Sequence, residues 1–125
     1  MNAANRFLLL GALGGFFSVA LGAFGAHGLK NILSPGLLQT FHTGVDYQAL
    51  HSLALLAVGL LEGRLQARAL TLAGWSFASG ILVFSGSLYL LALTDARWLG
   101  ALTPFGGILL LVGWAALAWG ISRAK

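Results

Sequence analysis

The stretch TFHTGVDYQALHSLALLAVGLL (40–61) decides how this chain folds. Its second part, Leu53–Leu61, is uniformly apolar but too short to cross a bilayer, whose hydrocarbon core of about 30 Å needs about 20 helical residues. Extending it back to Thr40 reaches that length and takes in Asp46, Tyr47, Gln48 and His51. The flanking sequence makes the longer reading the consistent one. Arg6 and Lys30 bracket an uncharged run on one side, and Arg68 and Asp95, then Arg97 and Arg123, bracket two more on the other. Each of those runs is long enough to span. The spans are therefore expected at about 7–26, 40–61, 69–94 and 102–121, in one transmembrane domain covering 1–125.

Composition agrees. Of 125 residues, 58% are hydrophobic and 8% charged, and the mean hydropathy is +0.89. A water-exposed domain carries about 25% charged residues, so a soluble enzyme is excluded. The pI near 10.4 rests on seven Lys/Arg against three Asp/Glu, and the basic residues stand singly. Without a basic patch there is no nucleic-acid partner to expect. The absence of cysteine removes disulfides, thiolate nucleophiles and Cys-ligated metals. Arg6 before an apolar run resembles a signal peptide, with Ala23 and Gly25 at the −3 and −1 positions. The run is long and glycine-rich and continues into a structured motif, so it reads as a span. Residues 28–38 (GLKNILSPGLL) read as a connection lying at the membrane surface.

Small residues mark the packing faces. Gly11, Gly15, Ser18, Gly22 and Gly25 form a stripe on the first helix; Ala73, Gly80 and Ser87 recur every seven residues on the third, and Gly106, Gly113 and Gly120 on the fourth. Because lipid tails do not drive helices together, such stripes let backbones approach. The expected fold is all-α: an antiparallel, up-down four-helix membrane bundle. Helix 4 also offers a face for a homo-oligomer.

The polar residues cluster at one end of the spans: His27, His42, Asp46, Tyr47, Gln48, His51 and Tyr89. A charged Asp is costly within a span, so Asp46 is expected to point inward and find a donor, with His27 as partner. Three uses are open. The cluster is a hydrogen-bond network locking helices 1 and 2. Or it lines an outward-facing pocket for a membrane lipid or small amphiphile. Or His27, His42, Asp46 and His51 hold a metal; His42 and His51, nine apart on different helical faces, speak against that, and no metal or other cofactor is expected. No nucleophile elbow or phosphate loop supports catalysis. The leading expectation is a non-enzymatic membrane protein whose polar cluster binds an amphiphile or organises partners. The alternative is a proton-coupled transporter or channel subunit in which Asp46 and His51 titrate.

Four motifs, GAFGAHGL (22–29), FHTGVDYQALH (41–51), FSGSLYLLAL (84–93) and LTPFGG (102–107), resemble those of domain-of-unknown-function family 423, whose eukaryotic relative is called transmembrane protein 256. The resemblance implies a multi-pass protein of the bacterial inner membrane and implies no activity.

Orientation follows from Lys/Arg bias across short connections. Arg6, Arg64, Arg68, Arg123 and Lys125 fall on one side, and Lys30 and Arg97 on the other. Both termini are thus expected in the cytoplasm. Single cysteines at Gln66 and Asn31 should react oppositely with an impermeant thiol reagent in intact cells: Asn31→Cys labelled, Gln66→Cys protected. Labelling of both from outside would overturn the four-span topology.

Overall fold

The computed structural model describes residues 1–124. Four α-helices follow one another: α1 (Ala3–His27), α2 (Pro35–Leu65), α3 (Arg68–Thr94) and α4 (Thr103–Arg123), with a 3-10 turn at Arg97–Ala101 before α4. Each of the four is long and apolar enough to cross a membrane. Local chemistry sets the ends. Asn2 caps α1 by accepting from the Asn5 amide at 2.8 Å. Ser34 caps α2 by accepting from the Leu37 amide, and Pro35 follows at the first helical position. The connection is therefore shorter than 28–38. Ser34-Pro35-Gly36 opens the helix rather than prolonging the loop, because the pyrrolidine ring is pre-set for a first turn that has no amide partner to lose. Gln66 and Asp95 end α2 and α3 in the left-handed region, at φ 48° and 54°.

Consecutive helices pack antiparallel. The start of α1, the end of α4 and the α2–α3 turn lie at one end, the terminal end; the 28–34 connection and the 3-10 turn lie at the other, the loop end. The glycine stripes are where the backbones meet. On α4, Gly106, Gly113 and Gly120 are all buried against α3, facing Phe84, Phe77 and Leu70 in turn. A methyl group on Gly106 would fall 2.4 Å from the Phe84 amide nitrogen. On α1, Gly11 sits over the backbone of Ser52 and Leu56, Ser18 is buried, and Gly25 faces the Phe41 ring. Gly22 makes only ordinary contact with Val45. Gly15 does not belong to this face: a methyl group there would meet nothing within 4 Å, whereas Gly14 lies against the Ser52 hydroxyl. One residue turns the helix by about 100°, so the crossing that seats Gly11 selects its neighbour at i+3 over the one at i+4.

The bundle is open. α1 packs on α2, α2 on α3 and α3 on α4, while α1 and α3 meet only sparsely and α1 makes no extensive contact with α4. The meeting of α1 and α3 is at the terminal end, where the fully buried Phe7 ring lies over Gly74 and edge-on to Trp75 at 5.3 Å. Phe7 joins Leu55, Val58, Leu70, Phe77 and Leu117 in the main apolar core. A smaller cluster of Leu29, Phe41 and Ala92 closes the loop end. Between the two lies a buried polar layer of Gln48, His51, Ser52 and Ser85.

Gly106→Ala should destabilise the protein by about 1–3 kcal/mol or more, since the obstacle is backbone that cannot swing aside. Gly15→Ala should be neutral or stabilise slightly, because alanine is the better helix former by about 1 kcal/mol. Thermal unfolding in detergent compares them; equal losses from both would refute the assignment of packing faces.

Candidate functional site

The polar layer is built from side chains on α2, α3 and α4 and a backbone carbonyl of α1. Gln48, buried on α2, lies between α1 and α3. Its Nε2 donates to the Gly14 carbonyl at 2.9 Å, and its Oε1 accepts from the Tyr89 hydroxyl at 2.6 Å. The carbonyl of Gly14 can only accept, which fixes the amide orientation and makes Tyr89 the donor. One side chain thus ties α1, α2 and α3 together. Nearby, the Ser85 hydroxyl donates to the Gly44 carbonyl at 2.6 Å, and Ser87 and Thr103 share a hydrogen bond at 2.7 Å between α3 and α4.

His51 joins α2 to α4. The Trp114 indole Nε1–H donates to its Nε2 at 3.0 Å, and its Nδ1 lies 2.7 Å from the Tyr47 carbonyl. An indole only donates and a carbonyl only accepts. The ring is therefore the neutral tautomer with its proton on Nδ1, and both nitrogens are engaged. Aromatic rings surround it: Tyr47 stacked at 5.9 Å, Phe77 at 5.7 Å and Trp114 edge-on at 5.8 Å. The lone pair that a metal or a proton would need is held by Trp114.

The seven residues singled out from the sequence therefore separate. Gln48 and Tyr89 come together inside the bundle, and Tyr47, itself exposed, stacks on the buried His51. His42 is half-buried near Gly25 and beside Phe41. His27 is exposed at the end of α1, and Asp46 is exposed on α2. The expected Asp46–His27 pair does not form: among the described residues the one ion pair is Arg97–Asp95, at 2.8 Å on the surface. Asp46 fails to turn inward because α2 has committed the opposite side, through Gly44, Gln48 and Ser52, to its neighbours. Among the described residues no three His, Asp or Glu side chains gather as a metal site. Trp114, Phe84 and Ser85 were not foreseen as site residues. The available signal was the place of Trp114, midway along a span rather than at an interface, where an indole N–H kept from water needs an acceptor.

Because the bundle is open, two grooves flank this layer. One, of about 280 Å³, runs between α1 and α3 and is floored by Gln48 and Leu55. The other, of about 470 Å³, runs between α2 and α4, with Tyr47, Leu50 and His51 on one side, Ile108, Leu111 and Trp114 on the other, and Phe84 as floor. The Tyr47 and Phe84 rings pack at 4.4 Å, so aromatic surface runs from one side of the groove onto its floor.

The family model described as "Protein of unknown function (DUF423)" matches residues 21–107. The chain belongs to this family. The matched region includes Asp46, Gln48, His51 and Tyr89 and stops short of Trp114. Relatives are named as UPF0382 membrane proteins. That of Haemophilus influenzae is 48% identical over 97% of both chains. That of Staphylococcus saprophyticus is 47% identical over 91% of this chain and 94% of its own, and YwdK of Bacillus subtilis 45% identical over 86% and 89%. No solved structure matches. The protein is thus a membrane protein of a family to which these names attach no activity.

Trp114→Phe should keep the ring packing against Phe77 but leave His51 Nε2 without a donor. The expected cost is about 0.5–2 kcal/mol, the range for one interhelical hydrogen bond. Nitrogen-15 histidine spectra should give the unprotonated Nε2 of the parent; a His51 ring protonated at both nitrogens near neutral pH would contradict the geometry.

Proposed function

We propose that this protein acts in the bacterial inner membrane as a non-enzymatic binder of a membrane amphiphile, holding one acyl chain in the groove between α2 and α4. The observation that carries the reading is the groove's construction. Its volume of about 470 Å³ lies in the usual range of small-molecule sites, about 300–1,000 Å³. Its walls are mostly apolar and aromatic; the polar atoms of His51 and Trp114 bond to each other, which leaves the hydroxyl of the exposed Tyr47 as the polar group a ligand would meet there. Such a site favours a hydrocarbon chain over a polar solute. The rival α1–α3 groove, lined by Leu10, Leu13, Phe17 and Leu82 with Gln48 and Tyr89, is smaller, at about 280 Å³.

The transport alternative gains no support from this arrangement. Asp46 and His51 lie on different sides of α2, one exposed and one buried, and the His51 ring has no free nitrogen with which to pass on a proton.

Gly107 lines the groove, and a methyl group there would only touch the Phe84 ring at 3.9 Å. Gly107→Leu should therefore fill the groove without opening the bundle. Gly86→Leu, in the other groove, is the matched control, since nothing lies within 4 Å of a methyl group there. Protein released from nanodiscs in a native mass spectrometer should retain phospholipid as the parent and as Gly86→Leu, and lose it as Gly107→Leu. Equal retention by all three would refute the α2–α4 site.

A further inference from the structure

Asp46 has no hydrogen-bond or ion-pair partner among the described residues. It lies on the exposed stripe of α2 with Leu50, Leu53 and Leu60, the side that faces lipid. Its depth follows from helical rise. If Leu61 marks the terminal-end boundary, Asp46 stands about 22 Å above it at 1.5 Å per residue. In a core of about 30 Å this is about 8 Å beneath the loop-end boundary. The side chains of α2 tilt toward its N-terminus, which raises the carboxylate further toward that boundary. The cations of the loop end, Lys30 and Arg97, are held in the connections, and Arg97 is already paired with Asp95. Of the histidines, His42 turns to α1 and His27 ends α1 above. An ionised carboxylate left against hydrocarbon is costly, so its place calls for a cation from outside the chain.

The same residue stands at the rim of the groove. Leu50, one helical turn below Asp46 on the same stripe, and Tyr47, its neighbour, both line the α2–α4 groove. A chain lying in that groove with its head toward the loop end brings the head past Asp46. We infer that Asp46 selects the head of the bound amphiphile, and that the preferred occupant is an aminophospholipid of the phosphatidylethanolamine kind. The inference rests on the groove reading above. The chemistry is complementarity of charge and of donors. A primary ammonium carries a positive charge and three N–H donors, and a carboxylate offers two acceptor oxygens, giving the short charge-assisted hydrogen bonds that are stronger than neutral ones. A quaternary choline head keeps the charge and loses every donor. A glycerol head lacks the charge, and its lipid's net negative charge is repelled by Asp46.

The test uses the full-length protein in nanodiscs of phosphatidylethanolamine, phosphatidylcholine and phosphatidylglycerol in equal parts with identical acyl chains. Retained lipid is identified by native mass spectrometry. The parent should enrich phosphatidylethanolamine over phosphatidylcholine by about tenfold, as one charge-assisted contact of about 1.4 kcal/mol would give. Asp46→Asn, nearly isosteric and on an exposed face, should melt as the parent does and still retain one lipid, but in the bulk ratio. Asp46→Glu should restore the preference. Retention without head preference in the parent, or a preference unchanged in Asp46→Asn, would overturn the role of Asp46 and leave the groove reading intact. Lipid retention indifferent to Gly107→Leu would remove the groove reading and this inference with it. A change of oligomeric mass in Asp46→Asn, with no change in lipid, would assign the carboxylate to a protein interface instead.

Discussion

At Gly106 the backbone of α4 approaches α3 so closely that no side chain could stand between them, and at Gly11 α1 does the same to α2. In water such proximity would follow from apolar burial. In a bilayer the tails are as apolar as leucine, so helices hold together only where dispersion contacts are dense and hydrogen bonds can cross. Close approach is the condition for both. Gln48 reaches the Gly14 carbonyl because Gly14 carries no side chain to hold the helices apart, and Ser85, with a side chain of one carbon, reaches the Gly44 carbonyl for the same reason. The stitching between α1, α2 and α3 thus depends on glycines, and the polar layer would come apart if they were enlarged.

That dependence also explains the open form. Each helix offers its small residues to its sequence neighbours, and no glycine of α1 touches α3; the two meet where Phe7 of α1 lies over Gly74 of α3. Past that point α1 and α3 diverge. Between α2 and α4, bulky rings replace glycines: Tyr47, Phe84 and Trp114 keep the two helices apart while the Trp114–His51 hydrogen bond joins them at arm's length. The larger groove is the space such a spacer leaves. Its existence and its aromatic lining therefore share one cause.

The helix count and most of the packing faces were legible in the sequence, because both depend on patterns within one helix. Charges at Arg6, Lys30, Arg68, Asp95, Arg97 and Arg123 mark span limits directly, and the seven-residue recurrence of Gly106, Gly113 and Gly120 marks a single face. What was not legible needed a second helix. Gly14 and Gly15 are equivalent in sequence and differ only through the crossing angle with α2. Trp114 and His51 are 63 residues apart, and nothing local to either names the other. The start of α2 is different in kind: Ser34-Pro35 is a signature of both turns and helix N-termini, and only the Leu37 amide bonded to Ser34 decides between them.

Asp46 shows why cost alone does not orient a side chain in a membrane. The penalty for lipid exposure was a sound reason to expect it inside, but a helix has one rotation to give, and every residue on it shares that rotation. Turning α2 to bury Asp46 would carry Gln48, His51 and Ser52 out of the bundle, trading one exposed group for three and breaking the bonds to Gly14, Tyr89 and Trp114. Near the loop-end boundary the charge is cheaper than at the centre, whereas the mid-span groups would be exposed at the most costly depth. The rotation that hides the deeper polar residues therefore leaves the shallower one facing lipid. A carboxylate so placed meets whatever cation the headgroup region supplies, and the groove beginning one turn below it gives the chain of such a molecule a place to lie.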